Sequence, residues 1–274
     1  MKNVYILKNL KDYQCFDLYR AFKSLENDNN SFIIVVDNWF DIFYKFDSLL
    51  PKIRSIHERG INDLIVQSNT VYIDLDNLSK PLENVLGVEI MDTQLSMPSS
   101  GTKKDLSSCL ITLDKFVSDF AHFPFLLNDK HIETTISEIQ KYVTVYTEIE
   151  NKTTAELYDF ISEFNIVVCN NDFIFKCAKE LNIPCVIAIT EETIPVKQTD
   201  NTFIFDPFRG EKIEGTNPLF TGDFKIQKEY NKTLIKYTDK HIEILINRIK
   251  KCIQKFGIPV NESVQVPSNK IIGE

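Results

Sequence analysis

The sequence predicts an α/β protein built as two parallel-sheet domains facing a cleft. Short, continuous apolar runs such as Phe32-Ile-Ile-Val-Val36 and Asn165-Ile-Val-Val-Cys169 are typical of strands buried on both faces. Amphipathic helical stretches alternate with such runs in both halves of the chain, the pattern of a parallel sheet with helices on its faces. Polar residues follow directly on strand ends, as at Asp37 and at Asn170-Asn171-Asp172. In open parallel sheets those carboxyl ends are where ligands bind.

Val4 to Leu7 is the first strand. After Lys11-Asp12 a helix runs to about Leu25, with Phe16, Tyr19, Phe22 and Leu25 as its apolar stripe. Asn27 to Asn30 is a turn, and Phe32 to Val36 the second strand. Trp39 to Leu50 reads as a helix stopped by Pro51, and Leu64-Ile-Val66 and Val71 to Leu75 read as strands. From Asp92 to Asp105 the composition turns polar with Pro and Gly, which marks a linker or a loop over the cleft. Leu106 to Phe120 reads as connecting chain, and Phe123 to Leu127 as the first strand of a second sheet. Ile132, Ile136, Ile139 and Tyr142 mark a helix, and Val143 to Tyr146 a strand. A Thr-capped helix follows, then the strand 165–169, a helix from Phe173 to Leu181 and a strand ending at Ile189. Thr202 to Phe205 is a further strand, and residues 210–223 read as loop. The last helix spans about 228–256, with Ile242, Leu245, Ile246, Ile249, Ile253 and Phe256 on one stripe. The resulting division is 1–105, 106–256 and a peripheral tail, 257–274.

The 274 residues carry a net charge of −8 and 43% hydrophobic residues, ordinary for a globular protein. A passive nucleic-acid surface is basic, so that partner class is disfavoured. The six cysteines form no Cys-x-x-Cys pair and read as buried, reduced thiols. The four histidines show no zinc spacing. The first apolar run is too short for a signal peptide, and no segment reaches the roughly 20 apolar residues of a membrane span. A soluble, cytoplasmic protein is expected.

The segment 142–189 concentrates the chemistry. A buried strand delivers Asn170-Asn171-Asp172 to a helix start, where backbone amides favour a phosphate. Asn171 and Asp172 are equally good helix caps. Glu191 and Glu192 follow the next strand and face the same edge, either as sugar-hydroxyl ligands or as loop charges. Asp74-Leu-Asp76 has the letters of a metal-binding Asp-x-Asp, but Asp74 interrupts an alternating strand, and no metal site is expected.

The second half resembles the ADP-heptose:lipopolysaccharide heptosyltransferase family, in a divergent and shortened form. Asn128-Asp-Lys-His131 resembles that family's Asp-Lys-His/Arg-Trp segment. Glu148-Ile-Glu-Asn-Lys-Thr-Thr-Ala-Glu-Leu157 resembles its Asn-Leu-x-Gly-Lys-Thr-Ser-Leu-x-Glu-Leu segment. Residues 165–189 resemble its strand, Asp-Ser/Thr-Gly-x-x-His turn, helix and Pro-containing strand. The order and spacing agree over residues 123–195; at the N-terminus, Lys8 and Asp12 resemble the family's first turn with two residues missing. Asn171 stands where the family has Asp, Phe173 where it has Gly, and Lys176 where it has His.

The resemblance implies a glycosyltransferase-B fold of two Rossmann-like domains, acceptor side first and nucleotide-sugar side second. It implies transfer of a sugar from a nucleotide-diphosphate sugar to a hydroxyl acceptor, inverting and without a metal or other cofactor. Lys130, Asn171, Asp172, Lys176, Glu191 and Glu192 are the expected donor-binding residues, and Asp12 the expected base. The acceptor is a saccharide; a modified base of phage DNA is the alternative, which a basic strip around Lys103 and Lys104 would favour. A catalytically inactive binding or assembly module is the other alternative, motivated by the three departures.

Overall fold

The computed structural model describes residues 2–23, 30–46, 49–77, 97–113, 127, 129–149, 151–188, 199–205 and 239–260. Glu191, Glu192, the loop 210–223, residues 228–238 of the last expected helix and most of the tail lie outside the described residues, as do residues 123–126 of the expected strand. The chain divides into two compact units. One is Met1–Gly101 with Ile149–Ser162, and the other is Thr102–Glu148 with Glu163–Glu274.

The first unit holds a four-stranded parallel sheet: β1 (Lys2–Lys8), β2 (Ser31–Val35), β3 (Ile53–Ser55) and β4 (Ser68–Asp74), in the spatial order β3-β2-β1-β4. Alternation along β1 sends Val4 and Ile6 to one face, where they pack with Ile34 and with Ile61 of helix α2 (Ile61–Val66). Tyr5, pointing to the opposite face, meets Phe22 of helix α1 (Cys15–Phe22) edge-on. Tyr19 of α1 stacks on Phe46 at 4.5 Å between ring centroids.

Two expectations fail in this unit. Leu64-Ile-Val66 is not a strand but the end of α2. Ile61, Leu64 and Ile65 share one helical face against the sheet, and Val66 is 84% exposed. The expected helix 39–50 is two short 3-10 segments, Asp41–Lys45 and Leu50–Lys52, which lead into β3. Pro51 lies inside the second segment rather than after a helix.

The second unit holds β5 (Ser108–Thr112), β6 (Thr144–Tyr146), β7 (Ile166–Cys169), β8 (Cys185–Ala188) and β9 (Thr202–Phe205), all parallel, in the order β6-β5-β7-β8-β9. The first strand of this sheet therefore lies in the stretch expected to be connecting chain. Ser108 and Thr112 made that run look short, yet both are buried; Ser108 Oγ bonds the Asp105 carbonyl and receives the Asn165 side-chain amide. Helix α3 (Asp129–Gln140) follows β5. Helix α5 (Asp172–Glu180) joins β7 to β8, and helix α6 (Asp239–Lys255) closes the described fold. Ile242, Leu245, Ile246, Ile249, Cys252 and Ile253 of α6 pack on Cys109, Ile111, Val168 and Val186. All six cysteines are buried free thiols, and burial pushes the Cys252 thiol up to about 12.

Helix α4 (Thr154–Ser162) departs from the expected division at residue 105. It lies between β6 and β7 in sequence but packs in the first unit. The Ile42 N–H donates to Thr154 Oγ1 at 2.9 Å, and Lys45 Nζ lies 2.8 Å from Asp159 Oδ1. The Ser100 hydroxyl donates to Asp159 Oδ2 at 2.6 Å, and Tyr158 packs on Phe16. The apolar face of α4 matches the aromatic core of the first unit, which short-range sequence pattern does not reveal.

Candidate active site

Each sheet has one point where the strand order reverses, and each such point gathers polar side chains. In the first sheet, β2 and β3 lie to one side of β1 and β4 to the other. At that reversal Asn9 ends β1 in the left-handed region, at φ 59°, which asparagine tolerates better than most residues. This conformation lets Asn9 use both donors: its backbone N–H goes to Asp37 Oδ2 and its side-chain amide to Asp74 Oδ1 at 2.8 Å. Asp74 Oδ1 also accepts the Asp76 N–H, and Lys11 Nζ lies 3.6 Å from Asp76. Three acidic positions from two strand ends, Asp37 after β2 and Asp74 and Asp76 at the end of β4, are thus bound to one asparagine and one lysine. Sequence reasoning missed Asn9; an asparagine directly after a buried strand was the available signal.

Asp12 opens the turn Asp12–Gln14 just before α1. Its Oδ1 accepts the Tyr13 N–H at 2.7 Å. Burial raises the carboxyl above its ordinary value, and the bond from Tyr13 opposes this only in part. Asp12 is thus a half-buried carboxylate with an increased appetite for a proton.

In the second sheet the reversal lies between β5 and β7. The arrangement is the 2-1-3-4-5 order of doubly wound sheets, whose ligands sit at this point. Asn170, directly after β7, is buried. Asn171 caps α5: its Oδ1 accepts the Ile174 N–H at 3.0 Å. Asp172 occupies the first helical position, and Lys176 stands half-buried one turn further on. Phe173 is buried, so its ring does not stand on the helix's outer face.

Lys130 lies in the first turn of α3, the helix that follows β5 in the chain. Its side chain is 76% exposed, 4.0 Å from Asp239 Oδ1 at the start of α6. The same carboxylate lies 3.5 Å from His131 Nε2. Asp239 is a second residue that sequence reasoning did not single out. Asn171, Asp172, Lys176 and Lys130 therefore belong to two helix starts of one unit, and Asp12 belongs to the other unit. Among the described residues no group of three or more His, Cys, Asp or Glu side chains is placed to hold a metal ion.

No protein-family profile matches the chain, and no curated protein matches it in sequence. Solved structures do match in fold. The iron-containing dodecameric glycosyltransferase TibC from enterotoxigenic E. coli aligns over 93% of this chain and 76% of its own, with TM-score 0.58 and 10% identity. The same enzyme, described as a heptosyltransferase in complex with ADP-D-beta-D-heptose, aligns with TM-score 0.56 and 10% identity, over 93% of this chain and 77% of that one. A family 9 glycosyl transferase from Veillonella parvula aligns over 93% of this chain and 98% of its own, with TM-score 0.50 and 9% identity. The expected resemblance thus holds in three dimensions: two parallel sheets with flanking helices give this chain a heptosyltransferase-like, glycosyltransferase-B type of fold.

Proposed function

We propose that the protein is a glycosyltransferase that moves a sugar from a nucleotide-diphosphate sugar to a hydroxyl acceptor, with inversion and without a metal. The observation that carries this reading is the fold shared with TibC, which binds ADP-heptose, together with polar residues at both strand-order reversals. The second unit takes the donor. Lys130, Lys176 and the start of α5 face the negative charge that grows on the departing diphosphate. Asp12 takes the acceptor's hydroxyl proton. As that oxygen bonds to the anomeric carbon, the bond from that carbon to the phosphate oxygen breaks, and its electron pair leaves with the diphosphate.

Two observations favour a second reading, a binding module without turnover. The Asn171 side chain is engaged as a cap, and Lys130 stands against Asp239. A thermal-shift screen with nucleotide diphosphates and nucleotide sugars, followed by assay of nucleotide release, separates the two. A specific ligand at roughly 100 times its Kd stabilises by about 2.7 kcal/mol. Binding with nucleotide release supports the transferase, and binding with no release under any acceptor supports the module. Lys130→Ala and Lys176→Ala are each expected to weaken diphosphate binding by about 1.5–3 kcal/mol, the weight of a charge-assisted hydrogen bond. Calorimetry showing unchanged affinity in both would remove them from the site.

A further inference from the structure

The acidic chain carries one sharply basic helix face. From Ile244 to its end at Lys255, α6 has Arg248, Lys250, Lys251 and Lys255 and no acidic residue, although the chain as a whole has a net charge of −8. At 3.6 residues per turn, Lys240, Ile244, Arg248, Lys251 and Lys255 fall within an arc of about 80°. The stripe is about 22 Å long at 1.5 Å per residue. It lies opposite the apolar face buried on the sheet. Lys240, Lys251 and Lys255 are exposed and Arg248 is half-buried.

Among the described residues, the surroundings of the stripe from Ile244 onward are basic or apolar rather than acidic. Lys250 is set aside over the Tyr142 ring, and Lys141 pairs with Glu138. Asp239, at the first turn, faces His131 and Lys130. Glu243 is exposed and lies about 60° from Lys240 around the helix, so it borders the N-terminal end of the stripe only. Lys255 lies over the rings of Phe203 and Phe256 and bonds the Asp200 carbonyl, so its position is fixed. Apolar side chains break the row of cations: Ile244 is 40% exposed in its middle, and Phe256 and Val260 are exposed at its end.

We propose that this face of α6 docks the protein on an anionic phospholipid surface. Charge complementarity supplies the attraction, since each basic side chain near such a surface adds to binding. The exposed Ile244, Phe256 and Val260 select the lipid: they enter the headgroup boundary of a bilayer and gain nothing against a phosphodiester backbone. Binding is peripheral, because among the described residues no helix is long and apolar enough to cross a membrane.

The test uses the full chain and sedimentation with phosphatidylcholine vesicles, with and without phosphatidylglycerol, at low and high salt. Binding to the anionic vesicles alone, weakened by salt, is expected. The variant Lys240→Gln, Arg248→Gln, Lys251→Gln is expected to bind them on the order of a hundredfold more weakly, with an unchanged melting temperature. A control with the same charge change on the first unit, Lys2→Gln, Arg54→Gln, Arg59→Gln, is expected to bind like the parent. Absence of vesicle binding overturns the proposal, as does equal weakening in the control. Equal or tighter binding of a single-stranded RNA would reassign the face to nucleic acid. A change of oligomeric state in the first variant without vesicles would reassign it to contact between copies.

Discussion

Asp12 differs from a surface aspartate because burial makes its ionised form costly, so the same carboxylate holds a proton more tightly. A base must be ionised to act, so the acid limb of the rate profile is expected above the ordinary aspartate value of 3.8. Asp12→Asn keeps the shape and the bond from Tyr13 but cannot accept a proton at neutral pH. Turnover is expected to fall by about 10²–10⁴-fold with donor affinity unchanged. The variant is also expected to be no less stable, since it removes a charge that burial penalises. Full activity in steady-state assays of the variant would move the role to Asp37, which Asn9 already holds in place.

The helices and strands divide into those that local pattern reveals and those that only packing reveals. Strands β2, β7 and β8 and helices α5 and α6 were legible because their apolar runs or stripes are long and bounded by turn residues. Three apolar residues at 64–66 were too few to tell period 2 from period 3.6, and only Ile61, packed with Ile34, settles the helix. The caps at Asn171 and Thr153 were legible at the level of chemistry, while the partners of Asn9 and Asp239 are distant in sequence, so the position of Asn9 after a strand was the one local trace and its bonds to Asp37 and Asp74 were not legible. Helix α4 shows how one such distant contact responds to pH. Burial pushes the Asp159 carboxyl up, but the hydrogen bonds from Lys45 and Ser100, with the Lys45 charge, outweigh it and hold the carboxyl below 3.8. A depressed folded value stabilises above 3.8, and that stabilisation is lost as pH falls through the depressed value. Protection of residues 154–162, corrected for the intrinsic pH dependence of amide exchange, is therefore expected to fall in that acid window, and in Asp159→Asn to be lower than in the parent at neutral pH and unchanged through the window. Unchanged protection in the variant would mean that Tyr158 and Ile161 alone hold the helix.

At the scale of the molecule, the two units are not two consecutive stretches of chain, because the first unit contains residues 149–162. A fragment ending at residue 105 lacks α4, so the Phe16 ring loses Tyr158 and the Ile42 N–H loses the Thr154 hydroxyl. Such a fragment is expected to show no cooperative thermal transition by circular dichroism, and a peptide of residues 149–164 added in trans is expected to restore one. A sharp transition in the fragment alone would show that α4 is dispensable to the first unit. The position of α4 also sets an order of events during synthesis. The first sheet leaves the ribosome early, but its last helix is translated only after β5, α3 and β6. At about 5–20 residues per second, the nascent first unit waits on the order of seconds with part of its aromatic core uncovered. During that interval the sheet is exposed to chaperones and to neighbouring chains, a vulnerability absent from a protein whose domains are consecutive in sequence.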